Sequence, residues 1–333
     1  MKTDPNKTPA LADLPAPPPG RTGWPWTEAS PPLPAAPPDG EAWPRISIIT
    51  PSYNQGKYLE ETIRSVLLQG YPDLEYFIID GGSNDESVDI IRKYDKWLSG
   101  WVSEKDAGQS DAINKGFASC SGEIFNWLCS DDVYSKGTFA TVAANFMEPN
   151  PCDVLAGACF NQFDDEPERS GARPAKGKPW EATPYADGVW QPSCFWRRSL
   201  IERDDLVLRD LHYCMDRELW CYLLSQAENW RWTDEVLSIY RYTGENKSMV
   251  GKRKIIEEVD RIYRMYFPEP VPLPAMLRAF WLPYVLKAMR HANPLVRLVA
   301  LGFSKAVAAV LLAFYPKNRL RSLQHEFYLY SVW

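Results

Sequence analysis

Histidine is scarce: His212, His291 and His325 are the only three in 333 residues. No Cys-x-x-Cys pair accompanies them, so a structural zinc site has almost no ligands to draw on. The seven cysteines are an odd number in a chain long enough to bury a full core, which argues against a disulfide framework. Nucleotide fingerprints are missing too. Nothing matches G-x-x-x-x-G-K-[ST], no G-x-G-x-x-G follows a candidate strand, and there is no kinase loop set, G-x-S-x-G or H-E-x-x-H. The longest apolar stretch, Leu295–Tyr315, is interrupted by Arg297 and Lys305, and a lysine at the centre of a span is costly, so no transmembrane helix is read there. The opening MKTDPNKTPALADLPAPPPG has no apolar run and no cleavage pattern. No secretory signal is therefore read, and a reduced cytoplasmic setting is expected.

What is present describes a globular chain. Hydrophobic residues make up 45% and charged residues 24%, values that exclude a disordered, collagen-like or coiled-coil protein. The net charge of −6 hides a split. Residues 252–333 carry 13 Lys and Arg against 5 Asp and Glu, so the first 251 residues stand at −14. A body that acidic is a poor binder of nucleic acid. Carboxylates at that density suit a divalent cation better.

Thirteen of the 29 prolines fall in residues 1–44. Proline removes backbone donors and fixes φ, so this stretch is expected to be a disordered arm outside the fold. Order is expected from Arg45. Strands are read at Ile46–Thr50, Leu74–Ile79, Trp101–Ser103, Glu123–Leu128, Val154–Gly157 and Trp230–Tyr240. Helices are read through Leu59–Leu67, Val88–Tyr94, about 109–118, about 137–146 and Met215–Leu224. Strands alternating with helices over short loops mean parallel β-α-β units. The expected fold is α/β, with a mostly parallel central sheet. Polar clusters follow the strands at Thr50–Tyr53, Asp80–Asp85, Glu104–Asp106 and Ser130–Asp132, where ligands gather in such sheets. Residues 161–189 read as a long insertion or flap.

Without a glycine-rich phosphate loop, a phosphate ligand needs another holder. Adjacent acids at a strand end can supply one through Mg²⁺ or Mn²⁺, hard ions that take carboxylate oxygens and keep phosphate ligands. Taken alone, Ser130-Asp131-Asp132 could equally be a helix cap with first-turn acids. The ordered motifs TPSYNQGKYLEETIRSVLLQ, FIIDGGSNDES and SEKDAGQSDAINKGFASCSGEIFNWLCSDD decide the matter. Together they closely resemble the donor half of bacterial family 2 glycosyltransferases over residues 45–135, with a weaker match to about 250.

That resemblance implies a GT-A-type three-layer fold, with residues 45–250 as the catalytic domain and 136–250 as its acceptor half. It implies that Thr50, Pro51, Ser52 and Tyr53 line the nucleotide base and that Asp80 bonds the uracil or ribose. Asp111, Asn114 and Lys115 would lie across the sugar-nucleotide. Asp131 would sit near the ribose and sugar, and Asp132 would hold the Mg²⁺ or Mn²⁺ that bridges the phosphates. Asp216, at the start of a helix, matches the general base of the acceptor side. Glu218 reads instead as a helix acid pairing with a nearby cation. Direct displacement with one base inverts the anomeric centre. The implied partners are a nucleotide-sugar donor, UDP-linked for preference, and a saccharide or lipid-linked acceptor.

The pattern departs from the family at one place. Tyr240-Arg241-Tyr242-Thr243 carries threonine where a histidine is expected, leaving Arg241 and Lys247 as candidate diphosphate contacts. A catalytically silent sugar-nucleotide-binding or scaffold protein is the alternative. The basic extension 251–333 is expected to be helical. Its residues 267–333 read either as an interfacial amphipathic helix, peripheral on the cytoplasmic face of the inner membrane, or as a helical extension packed on the domain.

Overall fold

A computed structural model describes residues 9–37, 40, 42–163, 169–172, 189–244, 246–247, 252–266, 293–296, 298–299 and 302. The chain divides into two compact units, one of residues 1–175 and 188–255, the other of 176–187 and 256–333. The first unit is built on a nine-stranded sheet. Its strands are β1 (Ile46–Ser52), β2 (Leu74–Asp80), β3 (Gly100–Ser103), β4 (Ile124–Trp127), β5 (Val133–Tyr134), β6 (Val154–Phe163), β7 (Arg169–Ala172), β8 (Cys194–Arg197) and β9 (Trp230–Tyr242). Helices α1 (Gly56–Leu67), α2 (Ser87–Tyr94), α3 (Gln109–Ser119), α4 (Thr138–Met147) and α5 (Met215–Gln226) accompany it. A further helix, α6, spans Lys252–Tyr266.

The strands run β3-β2-β1-β4-β8-β6-β9-β5, with β7 paired to β6. The first four are mutually parallel, and β6 and β9 are parallel to each other. Between these groups lies β8, antiparallel to both β4 and β6. Every residue of β1 is buried, as expected for a parallel strand covered on both faces. β1 also runs two residues further than its sequence suggests. Leu128 N–H donates to Ile49 C=O, so Ile49 and, two residues on, Pro51 turn their backbone groups toward β4. β4 ends level with Ile49, and the proline's missing donor therefore falls where there is no ladder to complete.

Residues 9–37 correct the expectation of a disordered arm. They form a strap on the first unit, with Leu14, Trp26 and Ser30 buried. Proline lacks a donor but keeps its carbonyl, and the strap's carbonyls meet a buried cation. Arg64 of α1 is 1% exposed and donates to the carbonyls of Pro15 (2.9 Å), Pro25 (3.1 Å) and Trp26 (2.9 Å) and to Tyr94 Oη (3.2 Å). Ser30 N–H and Leu33 N–H bond the carbonyls of Leu68 and Gly70. Gly70 is at φ +65°, and a Cβ there would stand 2.8 Å from the Pro32 backbone, so this crossing requires glycine. Trp43, also in the expected arm, bonds Pro34 C=O and meets Tyr71 edge-on.

Among the described residues no helix is long and apolar enough to cross a membrane. The flap expected at 161–189 becomes strand at its start, as the end of β6 and then β7, while 164–168 and 173–188 lie outside the described residues. Most of 267–333, including its expected membrane contact, lies outside them as well.

Candidate active site

The carboxyl ends of β1 and β2 carry the loops assigned to the nucleotide. Thr50 is buried, its hydroxyl 2.9 Å from Tyr76 Oη, while Tyr53 is 61% exposed. Pro51 and Ser52 are buried, and Ser52 Oγ and Gln55 Oε1 have no hydrogen-bond partner among the described residues. Two orphaned polar atoms beside one strand end are what a bound polar ligand would satisfy. Asp80 is fully buried and shapes the neighbouring loop. Its carboxylate accepts from Gly82 N (3.1 Å), Ser83 N (2.9 Å), Ser83 Oγ (2.5 Å) and Ser103 Oγ (2.6 Å). The two serines were not singled out from the sequence. The pattern D-G-G-S was the available signal, since aspartate commonly bonds backbone two or three residues on.

The acidic pair sits on a turn after β4. Thr62 of α1 donates to the carbonyls of both Ser130 (2.9 Å) and Asp132 (2.7 Å), fixing the turn from below. Asp132 is 1% exposed, and its Oδ1 accepts the Arg241 N–H of β9 at 2.9 Å. Burial and the adjacent Asp131 charge push its carboxyl well above the usual range, against the pull of the Arg241 N–H and guanidinium. Ligand atoms of Cys129, Asp131 and Asp132 all lie within 4.8 Å of one another. The two carboxylates suit a hard divalent cation. The thiol does not. Burial, then the charges of Asp132 and Asp131, push it well above its ordinary value, so it stays protonated.

Thr243 leaves the expected histidine position to a neighbour that the sequence reading passed over. Asn246 Oδ1 accepts from Thr243 N (2.7 Å), and its Nδ2 donates to Arg241 C=O (2.8 Å) and lies 3.4 Å from Asp131 Oδ2. An asparagine side chain thus closes the turn against Asp131. Arg241 acts on Asp132 by the charge of its guanidinium, from a position against α1. Its side chain is 5% exposed, paired with Glu61 Oε2 at 3.2 Å and lying 4.9 Å over the Tyr58 ring, both on α1. Arg21 of the strap stands 3.9 Å from the same glutamate.

Asp216 opens α5 and is half-buried, with Met215, Leu219 and Trp220 buried around it. Trp220 stacks on Trp127 at the end of β4, centroids 6.4 Å apart. That contact seats α5 beside the end of β4, the strand that leads into the acidic turn. The charge of Asp216 acts on the Cys129 thiol together with those of Asp131 and Asp132, and Lys247 opposes them. Gln191 bridges the same region, donating to Trp127 C=O (2.7 Å) and Asn126 Oδ1 (3.1 Å). Glu218, two residues past Asp216, is fully buried in a two-pronged pair with Arg203 (2.7 and 2.8 Å).

The polar face of α3 is largely occupied by protein. Asn114 donates to Val207 C=O (2.8 Å) and accepts Val207 N–H (3.0 Å), and Ser110 Oγ bonds Leu211 C=O (2.8 Å). Lys115 bonds Glu104 (2.9 Å) and lies 3.3 Å from Asp111, which also pairs with Arg209. Burial opposes ionisation of Asp111, but the Ala107 N–H and the Lys115 and Arg209 cations hold its carboxyl below the usual range.

These folds and loops define the class. Two solved glycosyltransferase structures of the GT-A type share the architecture. Mannosyltransferase PcManGT from Pyrobaculum calidifontis, in complex with GDP-Man and Mn²⁺, matches at TM-score 0.56 and 17% identity over 87% of this chain and 86% of its own. S. aureus TarS 1–349, in complex with UDP-GlcNAc, matches at TM-score 0.52 and 20% identity over 67% and 65%. Residues 47–207 match the family model of Glycosyl transferase family 2. A putative teichuronic acid biosynthesis glycosyltransferase of Bacillus subtilis, TuaG, is 26% identical over 66% of this chain and 90% of its own length. The chain spans 35% and 65% of the length of two further curated glycosyltransferases that it matches.

Proposed function

We propose that the chain is an inverting glycosyltransferase moving a sugar from a nucleotide-diphospho-sugar to a hydroxyl acceptor, in cell-surface polysaccharide or glycolipid assembly. The observation that carries this reading is the cluster on the turn after β4. Ligand atoms of Asp131 and Asp132 lie within 4.8 Å of each other and of the half-buried Cys129 thiol, and the charge of Asp216, from a separate stretch, acts on the same thiol. TarS, in complex with UDP-GlcNAc, makes a UDP-sugar the first donor to test, and PcManGT makes GDP-mannose the second. TuaG lends the polysaccharide context.

In this reading Asp216 takes the acceptor hydroxyl proton as its oxygen attacks the anomeric carbon. The bond from that carbon to the β-phosphate oxygen breaks, and the nucleoside diphosphate leaves with the electron pair. One displacement inverts the centre. Asp132, with Asp131 beside it, would hold a divalent cation, Mg²⁺ or Mn²⁺, which when bound would supply positive charge to the departing diphosphate. Arg241 acts through its backbone, presenting its N–H to Asp132 and its carbonyl to Asn246. Lys247 is exposed and within electrostatic reach of Cys129, which suits it to the diphosphate. Thr50, Pro51, Ser52 and Tyr53 receive the base, with Asp80 holding the facing loop. Asp111 and Lys115 border the sugar-nucleotide. Peripheral membrane contact through 267–333 belongs to the same proposal, and cell fractionation tests it.

Release of nucleoside diphosphate from UDP-, GDP- and dTDP-sugars with Mn²⁺ is the direct test. Turnover by the full chain, lost in Asp132→Ala and Asp216→Asn, is expected. Thr243 at the histidine position favours one other reading, a silent sugar-nucleotide binder. Donor binding without any diphosphate release would establish that reading instead.

A further inference from the structure

The parallel pair β6–β9 carries a row of aromatic side chains that the transfer chemistry above does not use. Asn161 pairs with Tyr240 and Phe163 with Tyr242. Paired residues of a parallel ladder share a face, so these four stand together. Arg241, between the tyrosines, turns to the opposite face and α1. Phe163 and Tyr242 stack with centroids 4.6 Å apart and planes at 11°. Tyr240 meets Tyr242 edge-on at 4.9 Å, and Trp190 lies 6.1 Å from Tyr240. All four rings are half-buried.

Further back on the same face the packing is sealed. Cys159 and Ser238 are buried there, with Ser193 Oγ 2.5 Å from Ser238 Oγ. The half-buried part of the face lies toward the carboxyl ends of β6 and β9, the ligand side of parallel strands. Within it, Asn161 Oδ1 is buried and has no hydrogen-bond partner among the described residues. A buried amide oxygen without a donor is costly and calls for an occupant.

This row adjoins the candidate active site at three points. Arg241 gives its N–H to Asp132. Trp190 precedes Gln191, which bonds Trp127 C=O. Tyr242 is the next residue after Arg241 on β9, and Asp132, after burial and Cys159, adds to the rise in its hydroxyl pKa. The nucleotide loops on β1 and β2 lie elsewhere, since β4, β8 and β6 stand between β1 and β9 in the sheet. Aromatic faces match the C–H face of a pyranose, and a lone buried acceptor matches a ring hydroxyl. A purely hydrocarbon ligand would leave that acceptor unsatisfied.

We propose that Phe163, Trp190, Tyr240 and Tyr242 form a stacking subsite for the pyranose ring of the acceptor saccharide, with Asn161 Oδ1 accepting one of its hydroxyls. Naming the sugar an acceptor rests on the glycosyl-transfer reading; the binding itself does not. Saturation-transfer NMR on the full chain tests it with the methyl β-glycosides of glucose, galactose and N-acetylglucosamine and methyl α-mannoside. Saturation of ring C–H protons in at least one glycoside is expected, unchanged by excess UDP. Trp190→Ala and Tyr242→Ala should each weaken it roughly five-fold, the scale of one lost ring contact. Asn161→Leu separates binding from folding: it removes the orphaned oxygen, so its unfolding midpoint should hold or rise while the saturation falls. No saturation from any glycoside, equal saturation in the variants, or displacement by UDP overturns the proposal. Loss of the glycosyl-transfer reading looks different, as sugar saturation persisting with no diphosphate released from any donor.

Discussion

Replacing Glu61 with alanine tests whether the far side of the acidic turn is held by an ion pair. The Arg241 guanidinium, 5% exposed, lies 3.2 Å from the Glu61 carboxylate. Breaking a buried pair from one side typically costs about 3–5 kcal/mol, because the surviving charge stays buried and unpaired. Glu61 itself is 14% exposed, so water reaches part of the gap. The Tyr58 ring remains under the guanidinium, a contact worth about 0.5–1 kcal/mol. These corrections bring the expected loss to roughly 2–3 kcal/mol. Arg21, 3.9 Å from Glu61 and half-exposed, adds no more than about 0.5 kcal/mol. Urea unfolding reads the loss as a lower midpoint at constant slope. The double variant Glu61→Ala with Arg241→Met removes the stranded charge and should recover about 1 kcal/mol relative to the single change. A single-variant cost below about 0.5 kcal/mol, or strictly additive losses in the double variant, would refute this account of the pair. Mn²⁺ binding to Glu61→Ala should weaken as well, because Arg241 N–H is then free to drift from Asp132.

Three other outcomes follow, two at Asp132 and one at the strap. Asp132 is held protonated in the folded, metal-free protein to a higher pH than in the unfolded chain, so folding takes up a proton in that window. Stability without metal should therefore fall as pH rises from the ordinary carboxyl range through the raised value, and Asp132→Asn should flatten the trend in urea midpoints. Mn²⁺ needs the carboxylate, so calorimetry in two buffers should show proton release and tighter binding at higher pH. Trp26→Ala removes a side chain 5% exposed whose ring lies 5.4 Å from the Arg64 guanidinium, and should cost about 3 kcal/mol in urea unfolding. A cost near zero would mean that the strap does not hold that cation in solution.

The regular part of the fold was legible because its signals are local. The apolar runs at 46–49 and 76–79 and the helical spacing of Leu59, Ile63 and Val66 each point to the element that forms. β8 and β5 were not, since four and two residues carry too little pattern and their pairing is set by distant partners. The strap was misjudged for a related reason. A proline count registers lost donors, whereas its carbonyls matter only once Arg64 lies beneath them. At the candidate site, Asp131, Asp132 and Asp216 were singled out by motif, and the charges of all three act on Cys129. Asn246 was not, because its value comes from standing where a different residue type was expected, three positions away from Thr243. Arg241 was found, but the atom that meets Asp132 is its backbone nitrogen, and nothing in a side-chain motif foretells that.

The pair of hydrogen bonds between Asn114 and Val207, backed by the one from Ser110 to Leu211, has a bearing on how such enzymes diversify. It ties α3 to the segment that leads into α5 and Asp216. Exchanging everything after residue 136 for the corresponding piece of another member would therefore sever a register contact as well as import a new specificity. Chimeras that carry α3 along with residues 204–213 should keep the two carboxylate-bearing segments aligned, and those that cut between them should not.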